Sequence, residues 1–355
     1  LKIPKLQIGS ITADIPIVQG GMGVRVSLSN LASAVANEGG IGTISSIGLG
    51  DVETLKNDYE GQSREALVRE IQRAKGMTDG HIAVNFMGVL SNVDDLIVAT
   101  VNEGVRMIVF GAGLPTRLPA LVEKGSANLV PIISSARVSK LILRMWDRRY
   151  SRIPDGLILE GPLAGGHLGF SYDQLKQPEM YSLEILLPQV LETIEPYEDK
   201  FGRKIPVIVA GGIYDGKDIA HMLSIGASGV QMATRFVCTV ECDVSEEFKQ
   251  AYLDSEEEDI VITKSPVGMP GRAIRNKFIK DLEADAKSKI KCFYRCLTAC
   301  DIKTAKYCIA LALINAWKGD VDHGLIFCGH NAYRVREIVT VKELISELIA
   351  GIEAA

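Results

Sequence analysis

Apolar runs of four to six residues alternate, through residue 232, with longer stretches that repeat apolar positions every three or four residues. The runs fall at 15–20, 40–45, 82–86, 107–110, 129–133, 156–159, 206–210 and 229–232 and are rich in Val, Ile, Leu and Ala. A strand wet on one face alternates apolar with polar residues. These runs do not, so they predict strands buried on both faces, as in a parallel sheet. The stretches between them, at 28–37, 92–102, 117–123, 138–147, 183–194 and 216–223, carry helical spacing. Gly39, Gly104, Gly125 and Gly226 close four of these units where a helix C-terminus favours Gly.

Eight strand-then-helix units predict an α/β fold, a closed (β/α)8 TIM barrel, with an open doubly wound sheet as the second choice. Two segments exceed the repeat. Residues 51–80 predict a charged helical excursion after the second strand, and 240–330 are too long for one closing helix. The organisation expected is a barrel over 1–240, a lid or small helical subdomain over 241–330 beside the barrel mouth, and a closing C-terminal helix over 331–355.

Composition narrows the function classes. At 47% apolar and 23% charged residues the chain suits a large core, and disorder is excluded for the whole. A net charge of −5 gives no pull toward nucleic acid or anionic membrane, so a small molecule is the expected partner, with a homodimer left open. No run of 18 apolar residues predicts a membrane span, and the first nine residues lack a signal peptide's apolar core. Seven Cys, an odd number clustered late, do not form a secreted disulfide framework, which points to a cytoplasmic protein with reduced thiols.

Candidate chemistry gathers at the C-terminal ends of the predicted strands, where such barrels place their active sites. The seventh strand runs into Gly211 and Gly212, and the eighth into Gln231, Met232, Ala233, Thr234 and Arg235. Loops seven and eight with a short helix N-terminus form a phosphate site in this architecture. Gly lets main chain approach an anion, Thr234 adds a hydroxyl, and Arg235 is positioned to add charge. The first strand ends in Gly20, Gly21, Met22 and Gly23, a loop able to lie flat against a planar ring. It does not complete a dinucleotide fingerprint. Asn85, polar within an apolar run, suits a ring edge carrying C=O and N–H groups. The sixth strand runs into Glu160 and then Gly165, Gly166 and His167. An imidazole among glycines at the catalytic end of a strand is the strongest candidate for proton transfer. Each motif also has a structural reading, as a tight turn or a hydrogen-bonded core residue. Their joint order favours the site.

Cys292, Cys296 and Cys300 recur every four residues, which predicts one face of a helix, with Cys308 and Cys328 following. The spacing is not that of common zinc or ferredoxin sites, so packing without metal is expected.

Together these segments resemble the nitronate monooxygenase (2-nitropropane dioxygenase) family and its relative, the FMN-dependent enoyl-[acyl-carrier-protein] reductase II family. The matching pieces are IPIVQGGMG (15–23), AVNFM (83–87), EGPLAGGHLGF (160–170), IPVIVAGGI (205–213), GVQMATRF (229–236) and SPVGMPGRAI (265–274). The resemblance spans roughly 10–280 and leaves the Cys-bearing tail beyond 285 unmatched. It implies an FMN-loaded barrel with FMN contacts at Gly21, Met22, Gly23, Asn85, Glu160 and Gly165. It places Gly212 and the 231–234 segment around the phosphate, and the catalytic role on His167. It implies oxidation of alkyl nitronates by O2, or reduction of an enoyl thioester or quinone with NAD(P)H as donor. A non-enzymatic flavoprotein and a flavin-free metabolite binder also stay open. The chain departs from the family pattern at Glu160, where Gln is usual, at Leu163, where an acidic residue is usual, and at Ala233, where Gly is usual. A carboxylate at 160 would disfavour an anionic reduced flavin.

Overall fold

The computed structural model describes residues 2–50, 58–284, 290, 292, 295–298 and 300–355. The chain opens with a short antiparallel hairpin, β1 (Leu6–Ile8) and β2 (Ile11–Ala13). Strands β3 (Ile17–Gln19), β4 (Ile41–Ser45), β5 (His81–Met87), β6 (Met107–Gly111), β7 (Asn128–Ile133) and β8 (Leu157–Glu160) follow in order. A two-residue strand β9 (Gly166–His167) lies outside the barrel wall. Then β10 (Val207–Ala210) and β11 (Gly229–Met232) complete it. The eight strands β3–β8, β10 and β11 pair in parallel, and β11 closes on β3. All eight predicted runs are these strands, and the barrel is closed rather than an open sheet.

The helices are α1 (Ser29–Asn37), α2 (Tyr59–Lys75), α3 (Val93–Asn102), α4 (Leu118–Leu121), α5 (Ala136–Tyr150), α6 (Tyr172–Leu175), α7 (Leu183–Phe201), α8 (Gly216–Ser224), α9 (Thr234–Val237), α10 (Glu246–Leu253), α11 (Lys277–Glu283), α12 (Ile309–Lys318) and α13 (Val341–Ala354). Helix α7 shows the logic of the outer ring. It buries Leu183, Leu186, Leu187, Val190 and Ile194, one stripe at helical spacing, and ends at Gly202 with φ 63°. The 51–80 excursion contains α2, started by the Asp58 carboxylate accepting from the Gly61 N–H. Its residues 51–57 lie outside the described residues. Helix α13 caps the far end of the chain, starting at a Thr340–Glu343 capping box and packing on α8 and α1.

Two cores result. One lies between strands and helices. The other fills the barrel, where Leu6, Ile8, Ile11 and Ala13 of the hairpin meet inward residues including Val18, Met107, Val130 and Ile208. The hairpin is a plug. Gln7 and Thr12 face outward while their neighbours are buried. This plug is absent from the sequence expectation, because three-residue strands leave too little pattern to detect.

Two expectations for the late segments need correction. The 241–330 region is not simply helical. Strands β12 (Ile260–Lys264) and β13 (Pro270–Ile274) form an antiparallel hairpin turning at Gly268, φ 83°, and β13 pairs with β9. The region thus reaches back onto the sixth strand's loop as a three-stranded sheet. Among its described residues the Cys-bearing stretch does not form a helix face either. Among its described residues backbone pairing wins over helical periodicity. Leu297 bridges Leu90, the Ser91 N–H donates to the Cys296 carbonyl at 3.1 Å, and the Thr298 N–H donates to the Val89 carbonyl at 2.9 Å. Among the described residues no helix is long and apolar enough to cross a membrane.

Candidate active site

A cavity of about 500 Å³ opens at the C-terminal ends of the barrel strands and takes in every predicted site residue except Arg235. It falls within the size range of small-molecule and cofactor clefts, roughly 300–1,000 Å³.

Its floor is main chain. A Cβ at Gly21 would stand 2.4 Å from the Asn85 Cβ, so only Gly lets this loop lie on strand β5. The Asn85 Nδ2 group donates to the Gly21 carbonyl at 3.4 Å, while its buried Oδ1 has no partner. Gln231, beside Gly20, likewise holds a buried Oε1 with no partner. Buried polar atoms are nearly always satisfied, so two orphaned acceptors in one cavity wall point to a ligand with donor groups. The Met22 N–H is held by the Ser27 hydroxyl at 2.9 Å, which fixes the loop between Gly21 and Gly23.

The anion end differs from expectation in two details. Gly211 and Gly212 adopt φ 97° and 85° and pack against Ala164 and Leu163. Helix α8, however, satisfies its own N-terminus. Asp215 accepts from the N–H groups of Lys217 and Asp218, and Asp218 from those of Tyr214 and Asp215. Arg235 turns away to Glu347, 2.7 Å, and to the Tyr214 carbonyl, 3.3 Å. The anion-binding character therefore rests on the Gly212 and Thr234 region, with Ala233 between strand β11 and helix α9. The Thr234 Oγ1 accepts the Gly329 N–H at 3.1 Å and keeps its own proton to donate.

His167 sits on β9, opposite Gly271 of β13, so a second sheet holds the imidazole over the barrel mouth. Its Nε2 lies 2.7 Å from the Ser265 Oγ, and the Phe327 ring meets its ring edge-on at 5.0 Å. The Tyr307 hydroxyl donates to the carbonyl of Lys264, next to Ser265, at 3.4 Å. Burial lowers the His167 pKa to about 4, so the ring is neutral at physiological pH. A neutral imidazole has one donor and one acceptor nitrogen, and the orientation of the Ser265 hydroxyl decides which is which.

Glu160 ends strand β8 with its open side on the cavity. Burial raises its pKa to about 8, against the opposing field of Arg272. With that shift it is chiefly a neutral acid and hydrogen-bond donor near neutral pH. Arg272, 5% exposed, donates to the carbonyls of Pro162 (2.8 Å) and Ala164 and so holds the Gly-rich loop. Gly165 is in backbone contact with the Cys328–Gly329 peptide, where a Cβ would come within 2.5 Å.

Ser265, Arg272, Phe327 and the 328–329 peptide escaped assignment from sequence. The first two lie in the SPVGMPGRAI segment, so a signal existed without a role. The others carry no local signal. Of the other histidines, His81 bonds the Thr12 carbonyl, and His221 pairs with Glu184 on the surface.

The nitronate monooxygenase family model matches residues 5–96 and 87–351, which includes the Cys-bearing tail. The chain belongs to the nitronate monooxygenase family. It is a flavin-dependent oxidoreductase. A (3aS,4S,5R,7aS)-5-hydroxy-7a-methyl-1-oxo-octahydro-1H-indene-4-carboxyl-CoA dehydrogenase of Mycobacterium tuberculosis is 30% identical over 279 residues, 79% of this chain and 68% of the relative. A "Probable nitronate monooxygenase" of Staphylococcus saprophyticus is 28% identical over 316 residues, covering 79% of this chain and 81% of that protein. The solved structure of FabK from Thermotoga maritima superposes with a TM-score of 0.74 at 26% identity, covering 96% and 94% of the two chains.

Proposed function

We propose that the cavity binds FMN and that the enzyme oxidises alkyl nitronates with O2, with His167 at the reacting centre. The observation that carries the reading is the neutral, sheet-held imidazole of His167 beside a cavity whose Asn85 and Gln231 acceptors lack partners. FMN supplies the two-electron chemistry when bound. The Gly21–Gly23 loop, Asn85, Gln231 and Met232 would carry its ring, and Gly211, Gly212, Ala233 and Thr234 its single phosphate. Gly165 lets the loop before His167 close down on the 328–329 peptide, and Glu160 offers a proton or a hydrogen bond at the cavity wall.

His167 can then do one of two things, set by Ser265. With Nε2 donating to the hydroxyl, the other nitrogen is a base for a carbon acid. With Nε2 accepting, the other nitrogen donates to an anionic oxygen of a nitronate. No nucleic acid or membrane is involved, and the site of action is the cytoplasm.

A second reading is supported by the CoA-thioester relative and the apolar cavity lining at Val24, Leu114 and Leu313. On this reading the same site transfers a hydrogen to or from a thioester-linked substrate or a quinone, with NAD(P)H as donor. Anaerobic mixing separates them. Bleaching of the flavin by a nitronate alone supports the first, and bleaching by NADH or NADPH alone supports the second. Cofactor released by heat should run as FMN, and FAD in its place would refute the cofactor assignment.

A further inference from the structure

Four of the seven cysteines, Cys292, Cys296, Cys300 and Cys308, fall on one connection between α11 and α12. Among its described residues this connection, 284–308, has no helix and no strand beyond the single Leu90–Leu297 bridge. Among the described residues these cysteines do not share a helix face.

Instead the thiols share one neighbourhood. Cys296 and Cys308 pack into the same apolar cluster with Val24 and Ile314. Cys292, Cys300 and Cys308 all act electrostatically on Cys296, and Cys292 acts on Cys300 and Cys308. Segment 285–308 also carries six Lys or Arg against two Asp, in a chain of net charge −5. A local cationic excess suits a site that becomes strongly negative when its thiols ionise.

We propose that Cys292, Cys296, Cys300 and Cys308 ligate one iron–sulfur cluster beside the cavity, where Cys296 lines the wall. Among the described residues no three ligand-type side chains stand close enough for a metal ion as they are. A lone zinc ion demands four sulfurs at about 2.3 Å each. A four-iron cluster, several ångströms across, suits thiols that are neighbours without touching, and ligation requires them ionised. The proposal is independent of which substrate the flavin site takes.

The test is iron and acid-labile sulfide analysis of full-length protein, produced and reconstituted without oxygen, with flavin content measured on the same samples. The expected result is about four iron and four sulfide per chain, with an electron paramagnetic resonance signal on dithionite reduction of the wild type. Cys300→Ser and Cys296→Ser should each lose most of the iron. Cys242→Ala, whose thiol is buried elsewhere against the Val26 carbonyl, should keep it. Wild-type protein with normal flavin and no sulfide or signal overturns the proposal. So does stoichiometric zinc in place of iron, or iron retained by both Cys→Ser variants.

Discussion

Glu160→Gln probes the electrostatics of the site with the least change of shape. The folded carboxyl titrates at about 8 against an ordinary value of 4.5, raised mainly by burial. Between those values the fold holds a proton that the unfolded chain releases, so stability is full below about 4.5 and is lost as pH rises toward 8. The difference is about 3.5 units, and at ~1.4 kcal/mol per unit the ceiling is about 5 kcal/mol. Water reaching the cavity side screens the charged form, and about 1–3 kcal/mol is the realistic span. The amide keeps the volume and cannot ionise. In flavin-free protein, denaturant unfolding at pH 5 and pH 8.5 should therefore show wild type weakening by ~1–3 kcal/mol more than Glu160→Gln. Parallel pH dependence in the two proteins would refute a neutral Glu160.

The same geometry sets the outcome of three further perturbations. His167→Ala should retain flavin and fold while turnover falls about 10²-fold or more. Because burial sets the His167 pKa at about 4, its requirement for the neutral ring should appear in kcat/KM as a fall below about pH 4, not near 6.5. Ser265→Ala should cost about tenfold in kcat and displace that acid limb, while Ser265→Thr restores both; an unmoved pH profile would leave Ser265 no part in setting the ring. Leu6→Ala, at the centre of the barrel plug, should cost about 2–5 kcal/mol by equilibrium denaturation without altering flavin stoichiometry.

The barrel is legible in sequence because its strands are buried on both faces and leave uninterrupted apolar runs. His167 is legible because Gly165 and Gly166 mark a strand end with room beside a polar side chain. What holds His167 is not local. Ser265 lies 98 residues away in the chain, and the β9–β13 pairing depends on a hairpin whose Pro270 and Gly271 break any strand pattern. Arg235 shows the opposite error. Its position after the eighth strand fits an anion site, yet Glu347 of the last helix takes its charge. The cysteines mislead in the same way, since four-residue spacing satisfies a helix, and the pairing of 296–298 with 89–91 shows the backbone doing something else.

Whether His167 serves nitronate oxidation at a bound flavin is decided by anaerobic stopped-flow mixing of the flavin-loaded enzyme with an alkyl nitronate, following flavin absorbance with no nicotinamide present. Bleaching is expected in the wild type, slowed about 100-fold in His167→Ala at equal flavin content. A flavin that stays oxidised in the wild type, or bleaches equally fast without His167, would contradict that role.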